Sequence, residues 1–258
     1  MRAMRNVWII CRKELRSYFV SPIAYILLAF FAIIFGFMFW NSLGEFIYYG
    51  MQAQLRGQVF PMNLNEEVIR PLISTTGVIG LFLIPVISMR LFAEEKRAGT
   101  IELLATSPIR DGEVILGKWL ASLILYAAML LLTALNFIWL FKYGNPDWKP
   151  LAVAYLGLLL LAGALLAIGE FISTLTRNQI IAAVATFVVC LLLWVLEWVS
   201  GYDSSTWARV LAYISVHSHF ESFTKGLLST KDVVYYVTAI CLGLFLSARS
   251  MESLRWRS

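Results

Sequence analysis

The sequence predicts an all-α, polytopic membrane protein with six transmembrane helices. Three observations carry that prediction. Hydrophobic residues fill 60% of the 258 positions and charged residues 14%, against about 45–50% and about 25% in soluble domains. Mean hydropathy is +0.75. Apolar runs recur along the whole chain, most close to the roughly 20 residues with which a helix crosses about 30 Å of hydrocarbon.

In chain order, residues 1–20 form an interfacial helix. From Met4 to Val20, Trp8, Cys11, Leu15, Tyr18 and Phe19 fall along one side, with Arg5, Arg12 and Arg16 mostly on the other, the pattern of a helix lying at a membrane surface. Ser21-Pro22 turns the chain into the bilayer. The spans follow at Ile23–Leu43, Arg70–Ser88, Trp119–Phe141, Leu151–Phe171, Gln179–Val199 and Val233–Ala248. The first is about 21 residues long with no small-x-small cleavage pattern after it, so it is expected to be retained. The second carries Pro71, Ser74, Thr75, Thr76, Gly77 and Pro85. The last, with about 16 residues, requires local thinning or snorkelling ends. Between the first two spans, Gly44 to Ile69 is expected to be a loop. Residues 200–231 are too polar to span, yet Trp207, Leu211, Tyr213, Phe220 and Phe223 suit short helices that lie on the interface or dip back between spans. One membrane domain, residues 1–258, accounts for the chain.

Basic residues set the orientation, because short loops rich in Lys and Arg stay cytoplasmic. With both termini inside, fourteen Lys and Arg fall on the cytoplasmic pieces and seven on the outer ones. The net charge of +5 then reflects topology and attraction to anionic lipid, and points to no nucleic-acid partner. Cys11, Cys190 and Cys241 make no disulfide framework and are expected to pack as small hydrophobes.

The loop at residues 90–110 is the most informative stretch. RLFAEEKRAGTIELLATSPIR sets dense charge and a short amphipathic turn between two spans. Ile101, Leu104, Ala105 and Ile109 recur at helical spacing, while Glu102, Thr106 and Arg110 fall elsewhere on the wheel. Pro108 disfavours helical geometry at Ser107 and ends the turn. A helix this short is below the roughly 12–15 residues at which an isolated helix is marginal in water. It needs a surface: its own protein, the membrane or a partner.

Other chemical signals are weak. GEVILGKW, Gly112 to Trp119, imitates a phosphate-binding loop but has Trp119 where a hydroxyl should reach magnesium, and it runs into a span. Asp111 is expected to cap that span, with Glu113 in its first turn and Lys118 marking the headgroup level. Glu170 and Glu197 each lie within about two residues of a span end and are expected to reach water. Asn136 and Thr133, and Ser74 to Thr76, suit bonds between helices or a polar path. His217 and His219 lack accompanying ligands at metal spacing. Nothing indicates nucleophilic hydrolysis, so catalytic, metal and cofactor residues are expected to be none.

Several blocks in order then carry a resemblance: NEEVIRPLIST, RLFAEEKRAGTIELLATSPI, GEVILGKWLAS, STLTRNQIIAA and HFESFTKGLLSTKDVVYY. With these the chain resembles, over nearly its full length, the membrane subunits of ABC-2 type ATP-driven transporters. Within that family it is most similar to permeases associated with bacterial gliding motility. The resemblance implies a six-helix permease subunit of the bacterial inner membrane that pairs with a second copy or a related permease. Each half would sit on a cytosolic ATP-binding subunit that holds the ATP and magnesium. The helix at about Gly99 to Ser107 resembles the coupling helix, and residues 1–20 the elbow-like connecting helix. On that resemblance Leu103 and Leu104 would anchor the dock, Glu102 with Glu94, Glu95, Lys96 and Arg97 would orient it, and Gly99 would permit the sharp entry turn, with Thr100 and Pro108 in the same coupling set. Glu170 departs from the apolar residue expected within LLAIGEFISTLT. Few mid-membrane charges favour a bulky, lipid-linked or polymeric substrate. The alternative is a membrane anchor that holds a cytosolic assembly without moving a substrate. A secondary transporter would show charges near the midplane and repeat-related broken helices.

Overall fold

The computed structural model describes residues 2–57, 63–100, 109–200 and 206–255. Helices form almost all of them, and no strand occurs among the described residues. The interfacial helix is α1 (Arg2–Val20). Ser21 then takes an extended conformation and caps α2 (Pro22–Leu55), accepting from the Ile23 amide at 3.4 Å, with Pro22 pre-set for the first helical position. A π-helical turn at Asn65–Ile69 leads into α3 (Arg70–Ser88), and α4 (Arg90–Ala98) continues it through Met89, which is itself helical. The rest follows as α5 (Asp111–Tyr143), α6 (Trp148–Leu175), α7 (Gln179–Ser200), two short helices α8 (Thr206–Ile214) and α9 (Val216–Thr224), and α10 (Thr230–Arg255).

Six of these helical stretches are long and apolar enough to cross a membrane. Their outward faces carry apolar side chains: Ile33 is 71% and Ile180 72% exposed, as hydrocarbon tolerates. The second and fifth spans coincide with their helices to within a residue, and the third and fourth lie inside longer ones. Two expectations are corrected. The segment from Gly44 is not a loop at first but continues α2 to Leu55, because Leu43, Phe46 and Ala53 keep one face packed on the core at helical spacing. Gly44 and Gly50 in this extension cost only about 1 kcal/mol each. The last span is not short, since α10 runs for 26 residues.

The core is organised around α6, against which α3, α5, α7, α9 and α10 all pack. Its run Leu161 to Ala167 is buried throughout. Small residues bring the backbones together. A Cβ on Gly243 of α10 would lie 2.9 Å from the Ala167 carbonyl carbon, and one on Gly169 would lie 2.7 Å from Ser88 Cβ on α3. The same device seats α1 on α5, where a Cβ on Gly117 would come 2.8 Å from Ile10 Cβ and 3.0 Å from the Val7 carbonyl. Small residues at such crossings let dispersion contacts replace the hydrophobic drive that lipid removes. Between α5 and α6, Thr133 and the Tyr155 hydroxyl bond at 2.6 Å, whereas Thr75 and Thr76 donate back to carbonyls of their own helix.

Gly169→Val is therefore expected to destabilise the protein by about 1–3 kcal/mol through overpacking, read as a lowered melting temperature in detergent. Gly112→Ala, where a Cβ meets nothing within 4 Å, serves as the neutral control.

Candidate functional site

The charged run after the second span folds as α4, a continuation of α3 that turns Leu91, Phe92 and Ala93 inward and leaves Glu94 and Arg97 exposed. It ends at Gly99, which has φ 72°, a left-handed conformation that glycine adopts without a Cβ penalty. The Thr100 amide then bonds back to the Glu95 carbonyl at 3.1 Å.

Two sets of contacts fix α4. At the end of α6, the Ser173 hydroxyl donates to the Met89 carbonyl and accepts from the Phe92 and Ala93 amides, each at 3.0 Å. The Lys96 ammonium donates to the Thr174 carbonyl, and the Thr174 hydroxyl reaches Ser250 of α10 at 2.8 Å. On the opposite side, Lys118 of α5 is buried between two carboxylates, Glu14 of α1 at 3.1 Å and Glu95 of α4 at 3.0 Å. Its side chain is 2% exposed, and its ammonium lies 5.1 Å from the centre of the Phe92 ring. Three helices thus meet on one cation. Around it, Asn6 donates to Glu113 at 2.9 Å, and the Tyr18 hydroxyl donates to the Ile87 carbonyl at 3.2 Å. Burial pushes the Tyr18 phenol far above its ordinary range, so it remains a donor. Arg90 pairs with Glu94 at 3.0 Å and lies over the Tyr18 ring. A groove of about 680 Å³ opens beside the cluster between α1, α4 and α5, lined by Ile9, Lys13, Glu94, Thr100 and Ile109 among others.

These positions revise the sequence reading. Of Glu94, Glu95, Lys96 and Arg97, the structure turns Glu95 and Lys96 to partners on other helices, while Glu94 stays exposed beside Arg90 of its own helix and Arg97 is exposed. Glu102, Leu103, Leu104 and Pro108 lie outside the described residues. Lys118 is buried rather than open to headgroups, because α1 packs over it and supplies Glu14. Glu14 escaped notice, although it is the single acid among five basic residues in positions 1–20, which was the available signal. Asp111 opens the first turn of α5 rather than capping it; Arg110 holds the cap position. Gly112 to Trp119 is continuous helix, with no loop of amides for a phosphate.

Glu170 also differs from expectation. Helix α6 continues to Leu175, and α4 docks over that end through Ser173, so the Glu170 carboxyl is fully buried and neither oxygen has a hydrogen-bond partner. Glu197 keeps partial exposure near the end of α7, with His217 Nδ1 at 3.8 Å. Burial lowers the His217 basicity, against the opposing pull of Glu197. The two histidines of α9 diverge: His217 stacks on Trp194, while His219 bonds Asp232 at 2.6 Å through Nδ1 and lies 3.0 Å from the Tyr213 carbonyl through Nε2. Asp232 had not been singled out. Cys11 and Cys190 are buried as expected, but Cys241 is exposed on the outer face of α10.

Comparison with known proteins places this arrangement among relatives. The family described as "ABC-2 family transporter protein" matches residues 8–248. The chain is similar to the protein described as "Probable multidrug ABC transporter permease YbhR" from Escherichia coli strain K12, 28% identical over 176 residues that cover 65% of this chain and 46% of the relative. The same holds for its counterpart in Escherichia coli O157:H7. The chain thus spans about half the length of the curated relatives it matches.

Removing the shared cation is expected to be costly. Lys118→Met leaves Glu14 and Glu95 facing each other without a counter-charge, which destabilises by about 3–5 kcal/mol. The triple variant Lys118→Met with Glu14→Gln and Glu95→Gln recovers most of that loss in the same thermal melts. Equal melting of the single and triple variants would contradict the ion-triad account.

Proposed function

The chain belongs to the ABC-2 transporter family, and from that premise we propose that it is the membrane permease subunit of an ATP-driven transporter of the bacterial inner membrane. Its energy comes from a separate cytosolic ATP-binding subunit, which carries the ATP and magnesium. Residues 1–258 act as one transmembrane domain with both termini cytosolic, which puts α4 and α1 on the cytosolic side and α8 and α9 on the outer side. Residues 90–110 are the coupling loop. Leu103 and Leu104 anchor it in the ATPase, Glu102 and the outward Glu94 and Arg97 steer the encounter, Gly99 and Thr100 make the turn into it, and Pro108 ends it. Two copies, or this chain and a related permease, enclose the path. The blocks that resemble gliding-motility permeases favour that branch of the family, and the small number of mid-membrane charges favours export of a bulky, lipid-linked or polymeric substrate.

One observation carries the reading. The base of the loop is tied at once to α1, α5 and α6 through Lys118, Glu14, Glu95 and Ser173. A loop held only by its chain ends would absorb a push from a partner. This one passes it to three helices, and a continuous helical backbone from Asn65 to Ala98 carries it across the membrane.

The test is purification of the tagged chain from native membranes in mild detergent. A soluble subunit with ATPase activity is expected to accompany the wild type and to be absent with Leu104→Asp, while the variant still inserts in the membrane. Retention of that subunit by Leu104→Asp would remove the coupling assignment. Recovery of an assembly without nucleotide binding would favour the membrane anchor.

A further inference from the structure

Helices α7 and α10 both pack on α6 but leave a groove between them. Its floor is Ala164 and Ile168 of α6, and its walls are Val189 and Leu193 of α7 with Ala239 and Leu242 of α10. Tyr213 and Ile214 of α8 close one end, where the Tyr235 hydroxyl donates to the Ile214 carbonyl at 2.6 Å. The volume is about 530 Å³.

Its dimensions decide what fits. Along α10 the lining runs from Val234 to Leu246, roughly 18 Å at about 1.5 Å per residue. That is about half of the roughly 30 Å hydrocarbon layer, the depth of one leaflet. A long apolar groove of this volume, open along one side, takes an alkyl chain lengthwise, whereas a helix about 10–12 Å across would lie over its mouth.

The closed end supplies a recognition element for a headgroup. The exposed Lys231 ammonium lies 5.0 Å from the centre of the Tyr213 ring, at the rim of the groove. The neighbouring Asp232 does not neutralise it, since that carboxylate is buried and turned to His219 at 2.6 Å. A lysine beside a tyrosine at the end of an apolar slot matches a lipid phosphate above its chain.

We propose that this groove is a binding site for one anionic phospholipid of the leaflet on the α8–α9 side, with an acyl chain along α6 between α7 and α10 and its phosphate on Lys231. The site is independent of the coupling assignment and of any ATPase partner. A lipid held there sets the separation of α7 and α10, and so the position of α8 and α9 above them.

The test reconstitutes the full chain in mixed phosphatidylethanolamine and phosphatidylglycerol bilayers, extracts it into mild detergent, and counts retained lipid by native mass spectrometry. Wild type is expected to keep one phosphatidylglycerol per chain. Ala239→Phe, which fills the slot, is expected to lose it, and Thr238→Trp on the same exposed wall provides a second blocking variant should the first not fold. Val184→Phe, exposed on α7 away from the groove, should keep it. Lys231→Gln is expected to weaken phosphatidylglycerol retention by about fivefold, and that of phosphatidylethanolamine, whose ammonium offsets its phosphate, by less. Retention undiminished in both blocking variants, or indifferent to Lys231, would overturn the site. So would a dimer that the blocking variants dissociate, since a second copy would then fill the groove.

Discussion

The arrangement at one end of this bundle depends on a single buried ammonium. Lys118 sits where water is excluded, and its charge is tolerable only because Glu14 and Glu95 arrive from two other helices. Buried ion pairs add little net stability compared with apolar packing, but they specify geometry sharply, since each partner's loss strands the others. Here the geometry specified is the mutual register of α1, α4 and α5. Ser173 performs the complementary task on the other side of α4, holding one carbonyl and two amides across the Met89 junction. With both contacts in place, the α3–α4 rod cannot bend at Met89 without breaking hydrogen bonds in a nonaqueous setting.

Much of the architecture was legible in the sequence because hydropathy is a local property. The edges of Arg70–Ser88 follow from an apolar run flanked by charge, and the helix has those edges. The brevity of the last span was misjudged for the converse reason: Asp232, Arg249 and Glu252 are polar yet helical, and composition alone does not register a helix that extends past the hydrocarbon. The extension of α2 to Leu55 was hidden by Gly44, Gly50 and a mixed composition, although Leu43, Phe46 and Ala53 keep the helical spacing.

The candidate site was harder to see because depth is a tertiary property. Distance from a span end placed Lys118 and Glu170 near water, but α1 and α4 cover that end and bury both. A lone acid in a basic helix and a lysine at the start of a span are individually unremarkable; only packing makes them partners. The pairing of His219 with Asp232 was likewise invisible, being 13 residues long in sequence and across a helix boundary. The sequence reads Gly99 as an entry turn; what the structure adds is that it ends α4, with a φ of 72° after a basic last turn.

The ion triad also imposes an order of assembly. Synthesis runs from the N-terminus, so Glu14 and Glu95 are made before Lys118. Each carboxylate can remain hydrated at the membrane surface while it waits, at no cost to insertion. The lysine arrives at the head of the third span, the one member whose burial is expensive alone. Its two counter-charges are already made when that helix begins, and the cluster can close only if the first two spans return the chain to the side on which it started. The contact that fixes the finished geometry therefore also requires one particular threading of the chain.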